Sequence, residues 1–160
     1  MDTSSALFTQ LLIKGFRRLR DVSLPLRPLS VMIGANGTGK TSVLDVLSLL
    51  ASSANGKLAA SLSELSGLVS VITQGSEAEL SFGISMKVTG HEPLDYALSI
   101  RPNGLSHEIW EEWLKQDQFP NPSNEDAWHI ASEGQLIRYF DPDKKELMAP
   151  TWAQIGRAHV

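Results

Sequence analysis

Cysteine is absent from this chain of 160 residues, and long hydrophobic runs and an excess of positive charge are absent as well. The lack of cysteine excludes disulfide scaffolds and thiolate metal sites, and it fits a reducing compartment. The apolar stretches fall well short of the roughly 20 residues that a membrane-spanning helix needs, and residues 1–10 contain no basic residue and no apolar signal region. We therefore expect a cytoplasmic protein with no membrane segment.

The charge balance is acidic, with 14 Lys and Arg residues against 18 Asp and Glu residues and a formal net charge of −4. A nucleic-acid-binding domain usually has a basic face or a high pI, so the composition alone does not indicate DNA binding. One dense basic cluster stands out, made of Lys14, Arg17, Arg18 and Arg20. Two interpretations of this cluster stay open, a solvated edge or a contact with the phosphate of a nucleotide or nucleic acid.

The length and the 42% hydrophobic content are those of one domain or part of one. An apolar run at residues 11–13 and a second run over residues 24–33 predict two strands, because both are short and bounded by turn-forming residues. Pro25 and Pro28 interrupt the second run, and proline is tolerated mainly at the edge of a sheet. The connection between the two runs is therefore expected at a sheet edge.

Residues 43–50 are apolar on most sides of a helix, which predicts a buried helix that ends in the small, turn-forming residues 52–56. The pattern then changes to strict alternation over residues 78–88, followed by a turn and a second alternating stretch at 94–100. This alternation has the period of a β-strand. The two stretches are predicted to form an antiparallel hairpin.

The hydrophobic pattern is less clear in the sequence after residue 100. Residues 107–115 fit either a strand or a helix, and residues 116–126 hold prolines among polar residues and predict a loop. Residues 128–130 and 136–140 predict a second hairpin.

Residues 34–41 match the phosphate-binding pattern G-x-x-x-x-G-K-[ST] in full, between a predicted strand and a predicted helix. Glycines let such a loop curl so that its amides point at phosphate oxygens, and the N-terminus of the following helix favours the same negative charge. Lys40 is the positive charge expected on the β and γ phosphates of ATP, and the Thr41 hydroxyl is the expected Mg²⁺ ligand. The predicted nucleotide-binding residues of this Walker A P-loop are Gly34, Ala35, Asn36, Gly37, Thr38, Gly39, Lys40, Thr41 and Ser42.

The loop sequence G-A-N-G-T-G-K-T, preceded by I-K-G-F-R-R-L-R-D, resembles the N-terminal lobe of the ABC-type ATPases of the SMC, RecF and related AAA family group. Asn36 at the third loop position is typical of that group, and residues 71–84 resemble the start of its β-subdomain. The resemblance covers roughly residues 10–115. It implies an α/β fold, namely a P-loop NTPase N-terminal lobe with a buried helix after the P-loop and an antiparallel β-subdomain. It also implies that the basic strand lies near the nucleotide, which adds Arg17 to the nucleotide-binding residues.

Hydrolysis by the resembled ATPases also requires a signature sequence, a Walker B strand that ends in Asp-Glu, and a switch histidine, and none of these is identifiable. Residues 65–67 begin like a signature but continue into apolar residues. Residues 136–141 resemble a Walker B strand, yet Pro142 stands in the place of the catalytic acid, and residues 141–143 are predicted to be a turn. The catalytic residues therefore stay unknown.

The last six residues, I-G-R-A-H-V, resemble the translated read-through of a sequencing adapter, and a genuine short C-terminus is the alternative. Together with the missing motifs, this predicts that residues 1–154 are a partial P-loop ATPase domain and that residues 155–160 are a non-native tail. A partial domain of this kind is expected to expose apolar edges.

The resemblance implies an ATPase whose complete form dimerises around two ATP molecules and acts on DNA, in repair or in antiphage defence. The truncated fragment itself is expected to be inactive. Two alternatives stay open. One is the ATP-binding subunit of an ABC transporter, in which Gln74 would be the glutamine of the Q-loop. The other is a non-catalytic nucleotide-binding module, which the absence of a Walker B sequence from the parent gene would indicate.

Overall fold

The computed structural model describes residues 6–74, 79–104, 106–116, 128–133, 136–141, 144 and 146–149. In chain order, the elements within these ranges are β1 (Ala6–Phe16), β2 (Leu19–Pro25), α1 (Lys40–Ala54), α2 (Leu58–Glu64), α3 (Leu68–Val71), β3 (Leu80–Val88), β4 (Leu94–Asn103), β5 (Ser106–Gln116), β6 (Trp128–Glu133), β7 (Leu136–Asp141) and β8 (Glu146–Met148).

Three of the predictions fall on residues outside these ranges. Nearly all of the predicted loop at 116–126, most of the predicted turn at 141–143 and the whole of the tail at 155–160 lie there. These three stay predictions.

The described strands form one sheet with the order β2-β1-β3-β4-β5-β6-β7-β8, and every neighbouring pair is antiparallel. Strand β2 lies at one edge of the sheet, and Pro25, one of the two prolines that predicted a connection at a sheet edge, is in register with Gln10 of β1. Strand β1 lies between β2 and β3, so the basic cluster near its C-terminal end is brought next to the start of β3. The predicted antiparallel β-subdomain is therefore present.

The core is formed by one stripe of α1, one face of the sheet and the buried apolar residues of α2 and α3. The residues of α1 that face inward are spaced three and four apart, and the strand residues that meet them alternate along β1, β3 and β4. Burying a large apolar side chain contributes roughly 1.5–3 kcal/mol, so this contact fixes α1 to the sheet. The central members are Leu11, Ile13, Phe16, Val46, Leu49, Phe82, Leu98 and Ile100.

The second predicted strand is shorter than the apolar pattern indicated. Strand β2 ends at Pro25, and residues 29–33 form no strand, so that part of the prediction was wrong. The side chains of Leu29, Val31 and Ile33 are 81%, 75% and 93% exposed. A strand needs a neighbour that satisfies its N–H and C=O groups, and no described strand lies beside this segment.

The predicted helix after the loop is α1, and it ends at Ala54 within the small residues that predicted its end. The prediction that it is buried on most sides was too strong, because the side chain of Leu44 is 54% exposed. Two short helices, α2 and α3, were not predicted. The signature-like residues Leu65, Ser66 and Gly67 lie in the connection between them, where Ser66 and Gly67 have φ angles of 70° and 88°.

Both predicted hairpins are confirmed, as β3 with β4 and as β6 with β7. The stretch that fitted either a strand or a helix is strand β5, whose register with β4 shifts at residues 99–100. Strand β7, which resembles a Walker B strand in sequence, lies between two antiparallel neighbours, β6 and β8. Strand β8 was not predicted.

Candidate nucleotide-binding site

The loop that precedes α1 turns through two glycines with left-handed backbone angles, φ 81° at Gly37 and φ 103° at Gly39. Residues with a side chain rarely adopt such backbone angles, so these positions favour glycine. At Gly39 a second reason applies, because a Cβ atom there would lie 2.8 Å from Cδ2 of Leu19. The loop therefore packs closely against the first residue of β2, directly after the turn between β1 and β2.

The N-terminus of α1 has no capping side chain and no acidic residue in its first turn. The first helical hydrogen bond runs from the Val43 N–H to the Gly39 carbonyl, 3.1 Å away. The N–H groups at residues 40–42 therefore have no acceptor within the helix, and they carry the positive end of the helix dipole. This arrangement favours an anion such as a phosphate.

The Lys40 ammonium group lies inside the loop. Its Nζ donates hydrogen bonds to the carbonyl oxygens of Gly34 and Ala35, each at 2.7 Å. The Thr38 hydroxyl also donates to the Ala35 carbonyl, at 3.0 Å. An ammonium group has three protons, so two are engaged by the loop and a third can point toward a ligand. The loop is thus folded around the charge that the sequence assigned to the phosphates.

The structure brings all nine residues of the predicted P-loop set together in one loop and the first turn of α1. Within that set, Asn36 and Thr41 are exposed, whereas Ser42 faces the core and is buried. The Thr41 side chain is accessible at the helix N-terminus, where a hydroxyl ligand to a phosphate-bound metal ion would be needed.

Arg17, the residue added by resemblance, is held in place by both its backbone and its side chain. Its φ angle is 51°, its N–H donates to the Val71 carbonyl at 2.6 Å, and its carbonyl accepts from the Thr73 hydroxyl at 2.8 Å. Its Nη1 lies 2.5 Å from Oδ2 of Asp45 on α1, and its guanidinium lies 5.1 Å from the centroid of the Phe16 ring. The Arg17 side chain therefore ties the β1–β2 turn to α1.

Arg18, which sequence reasoning did not include in the site, makes a direct contact with the P-loop. Its Nη1 donates a hydrogen bond to the Gly37 carbonyl oxygen at 3.2 Å. The basic cluster was the available signal, but the sequence could not show which of its cations faces the loop. The structure brings the turn at residues 17–19 and the loop at residues 34–39 into contact.

The segment that follows α3 is attached to the same turn. The Thr73 N–H donates to the Gly15 carbonyl at 2.8 Å, and Phe16 and Ile72 form an isolated antiparallel bridge. Gly15 is needed at this contact, because its φ is 79° and a Cβ atom there would lie 2.3 Å from the Glu79 carbonyl oxygen. Gln74, the weak Q-loop candidate, comes directly after this segment and is exposed.

A separate ion pair ties β4 to the residue just before β3. The Nε and Nη2 atoms of Arg101 donate to Oε2 of Glu79, at 2.8 Å and 2.6 Å, and the Ser81 hydroxyl donates to Oε1 at 3.0 Å. Burial raises the pKa of the Glu79 carboxyl, whereas the hydrogen bonds from Arg101 and Ser81 lower it. The lowering is larger than the effect of burial, so the net shift of the pKa is downward. Arg101 also stacks over the Trp110 ring at 4.1 Å, which gives that tryptophan a packing role.

In the described part of the chain, no helix is long and apolar enough to cross a membrane. Likewise, no group of three or more His, Asp or Glu side chains among those residues is arranged to hold a metal ion.

Comparison with known proteins gives consistent results. Residues 8–133 match the model of the AAA ATPase domain family. The chain is similar to the DNA replication and repair protein RecF of Enterobacter sp., with 36% identity over 91 residues, which cover 51% of this chain and 25% of that protein. It is also similar to the OLD nuclease of Thermus scotoductus, with 46% identity over 41 residues, which cover 26% of this chain and 8% of that protein. The chain thus spans a quarter or less of these curated relatives.

Among solved structures, the fold is similar to that of a protein from a study of ATP-driven dimerization and DNA-stimulated activation of SMC ATPases. The TM-score is 0.50 at 21% sequence identity, over 67% of this chain and 68% of that one. This likeness confirms the expected fold, the N-terminal lobe of a P-loop NTPase with an antiparallel β-subdomain. Since the family match covers more than half of the chain, the chain belongs to the AAA ATPase domain family.

Proposed function

We propose that residues 34–42 bind the phosphates of ATP together with Mg²⁺, as the nucleotide-binding part of an ATPase that acts on DNA. The observation that carries this proposal is the position of the Lys40 Nζ, 2.7 Å from two loop carbonyls, beside the uncapped N-terminus of α1. Membership of an ATPase domain family supports the same conclusion.

Each part of the loop has a separate task in this proposal. The amides of the loop and of the first turn of α1 donate hydrogen bonds to phosphate oxygens, and Lys40 neutralises charge on the β and γ phosphates. The Thr41 hydroxyl supplies one oxygen ligand to Mg²⁺, which takes its other ligands from phosphate oxygens and water. Arg17 belongs to the proposed set because its turn contacts the loop and α1.

Binding by this chain does not by itself provide hydrolysis. Phosphoryl transfer to water needs a group that orients the attacking water, in addition to the charges that stabilise the phosphates. Asp45, the carboxylate on α1, is engaged by Arg17 and is therefore a poor candidate for that role. We propose that the complete ATPase contains further catalytic residues and that this chain alone binds ATP without turnover.

The relatives support a role on DNA for the complete protein. One is a DNA replication and repair protein, one is a nuclease, and the structural relative is an SMC ATPase associated with ATP-driven dimerization and DNA-stimulated activation. Our proposal is that the complete protein forms a homodimer around ATP and works in DNA repair or antiphage defence.

A series of ligands that differ in the number of phosphates tests the proposal. Isothermal titration calorimetry is performed with ATP, ADP, AMP and adenosine, each with and without Mg²⁺. Affinity should rise with the number of phosphates and should be strengthened by Mg²⁺ for ATP, because the loop contacts phosphates rather than the base. Equal affinity for adenosine and ATP would contradict a phosphate site.

A phosphate-release assay tests the second part of the proposal. The chain should release no phosphate above the level of a Lys40→Ala control. Multiple turnovers that require Mg²⁺ and disappear in that control would show that this chain already contains the water-orienting residue.

A further inference from the structure

The turn between β1 and β2, together with the first residue of β2, contacts the P-loop and α1 through three successive residues. Arg17 pairs with Asp45 of α1, Arg18 donates to the Gly37 carbonyl, and the Leu19 side chain occupies the space beside Gly39. Each contact uses a different kind of interaction, namely an ion pair, a hydrogen bond to backbone and apolar packing. The turn is therefore built as a support for the loop.

The contact of Arg18 acts on a single peptide group. In a trans peptide the C=O and N–H groups point in opposite directions. When Arg18 holds the Gly37 carbonyl on the side of the β1–β2 turn, the N–H of Thr38 must point to the other side of the loop. The proposed binding mode requires the loop amides to face the phosphates, and an amide held in this way can serve as one of those donors.

Gly37 is the position at which such a support has an effect. Glycine adopts its φ of 81° without strain, and glycine can also adopt several other backbone conformations at little cost. Its carbonyl would therefore sample more than one direction without an external partner. A hydrogen bond from a charged donor selects one direction, and a preorganised donor binds its ligand more tightly because less ordering is needed on binding.

We propose that Arg18 is a positioning residue for the P-loop, which orients the Thr38 amide toward the phosphates of ATP by holding the Gly37 carbonyl. The Arg17–Asp45 ion pair holds the turn in place, so that the guanidinium of Arg18 reaches the loop. This inference rests on the proposed binding of ATP at residues 34–42, and it adds a determinant of ATP affinity that lies outside that sequence motif.

The first test compares three variants by ATP calorimetry at two ionic strengths. Arg18→Ala should weaken ATP binding by about 3- to 10-fold, the range expected for the net contribution of one typical intramolecular hydrogen bond. Arg18→Lys should recover part of the loss, because it keeps a donor. Arg20→Ala is the matched control, since Arg20 is an exposed arginine of β2 and its removal changes the net charge equally.

Equal losses in Arg18→Ala and Arg20→Ala that vanish at high salt would overturn the proposal, because they would show a general charge effect. Unchanged ATP affinity in Arg18→Ala would overturn it as well. If Lys40→Ala retains the full ATP affinity, the proposed phosphate site fails, whereas a loss in Lys40→Ala with none in Arg18→Ala removes only the positioning role.

The second test observes the Thr38 amide directly. In a ¹H–¹⁵N correlation spectrum, Arg18→Ala should shift or broaden the signals of Gly37 and Thr38 while the signals of the distal strands β5 to β8 stay in place. Asp45→Asn should produce the same change at Gly37 and Thr38, since it releases Arg17 and thereby the turn. Unchanged Gly37 and Thr38 signals in both folded variants would overturn the proposal.

Discussion

The two segments that flank the P-loop have similar apolar sequences but opposite environments. On the helix side, Val46 is fully buried and Leu49 nearly so, whereas on the strand side Ile33 is 93% exposed. A helix satisfies its own backbone hydrogen bonds and needs only one apolar partner surface, which the sheet provides. An extended segment needs a neighbouring strand for its backbone as well. The difference shows that a local apolar pattern becomes buried structure only when its partner is present.

The largest effect should come from the helix side. Leu49→Ala should lower the free energy of unfolding by about 2–5 kcal/mol, because it leaves a cavity in the core between α1 and the sheet. Urea denaturation followed by circular dichroism measures this loss. Leu44→Ala is the matched control on the same helix, and its exposed side chain should make its effect much smaller. Equal losses in the two variants would show that α1 does not pack as described.

The loop between the two segments should respond less strongly. Gly39→Ala should destabilise the fold by about 1–3 kcal/mol, because it combines a left-handed φ of 103° with a contact of 2.8 Å to Leu19. Thermal unfolding measures the change. Gly56→Ala is the control, since Gly56 has a φ of 67° but nothing within 4 Å of its added Cβ. A larger loss at Gly56 than at Gly39 would contradict the close packing of the turn on the loop.

A smaller, pH-dependent effect is expected in the sheet. The pKa of the Glu79 carboxyl is lowered in the folded state, so its contribution to stability is present above the unfolded pKa and is lost as the pH falls through the folded pKa. Arg101→Gln removes the main partner that lowers this pKa. The variant should therefore be less stable at neutral pH and lose less stability on acidification than the unchanged protein. Parallel pH profiles from urea denaturation would contradict this assignment.

The smallest effect should come from the strand side. Ile33→Ser should change the free energy of unfolding by no more than about 0.5 kcal/mol, since substitutions at exposed positions usually lie in this range. The measurement is the same urea titration used for Leu49→Ala. A loss of several kcal/mol would show that residues 29–33 are buried against another segment and that the two flanks are alike.

Most of the strands could be predicted from the sequence, because their alternation reports directly which face is buried. The hairpin of β3 and β4 is the clearest case, with Leu80, Phe82 and Leu98 buried as the pattern indicated. Residues 29–33 show the limit. Their apolar pattern is strong, but a strand forms only if another strand, distant in sequence, pairs with it. A local pattern cannot show whether that partner strand is present.

The site was predictable in the same uneven way. The P-loop motif specified Lys40 and the loop glycines, because that chemistry requires fixed spacing along the chain. The contacts of Arg17 with Asp45 and of Arg18 with Gly37 join segments that are far apart in sequence. The basic cluster indicated that cations were available, but only the fold shows how each arginine contacts the segments around the loop.

The central claim, that the P-loop binds ATP through its phosphates, is tested most directly by calorimetry of ATP with Mg²⁺ on Lys40→Ala. Removal of the ammonium held by the Gly34 and Ala35 carbonyls should weaken binding by about 10- to 150-fold, which corresponds to roughly 1.5–3 kcal/mol for a hydrogen bond to a charged group. Lys57→Ala, which removes an exposed lysine that precedes α2, should retain the affinity of the unchanged protein. Equal ATP affinity in the unchanged protein and a correctly folded Lys40→Ala variant would contradict the account.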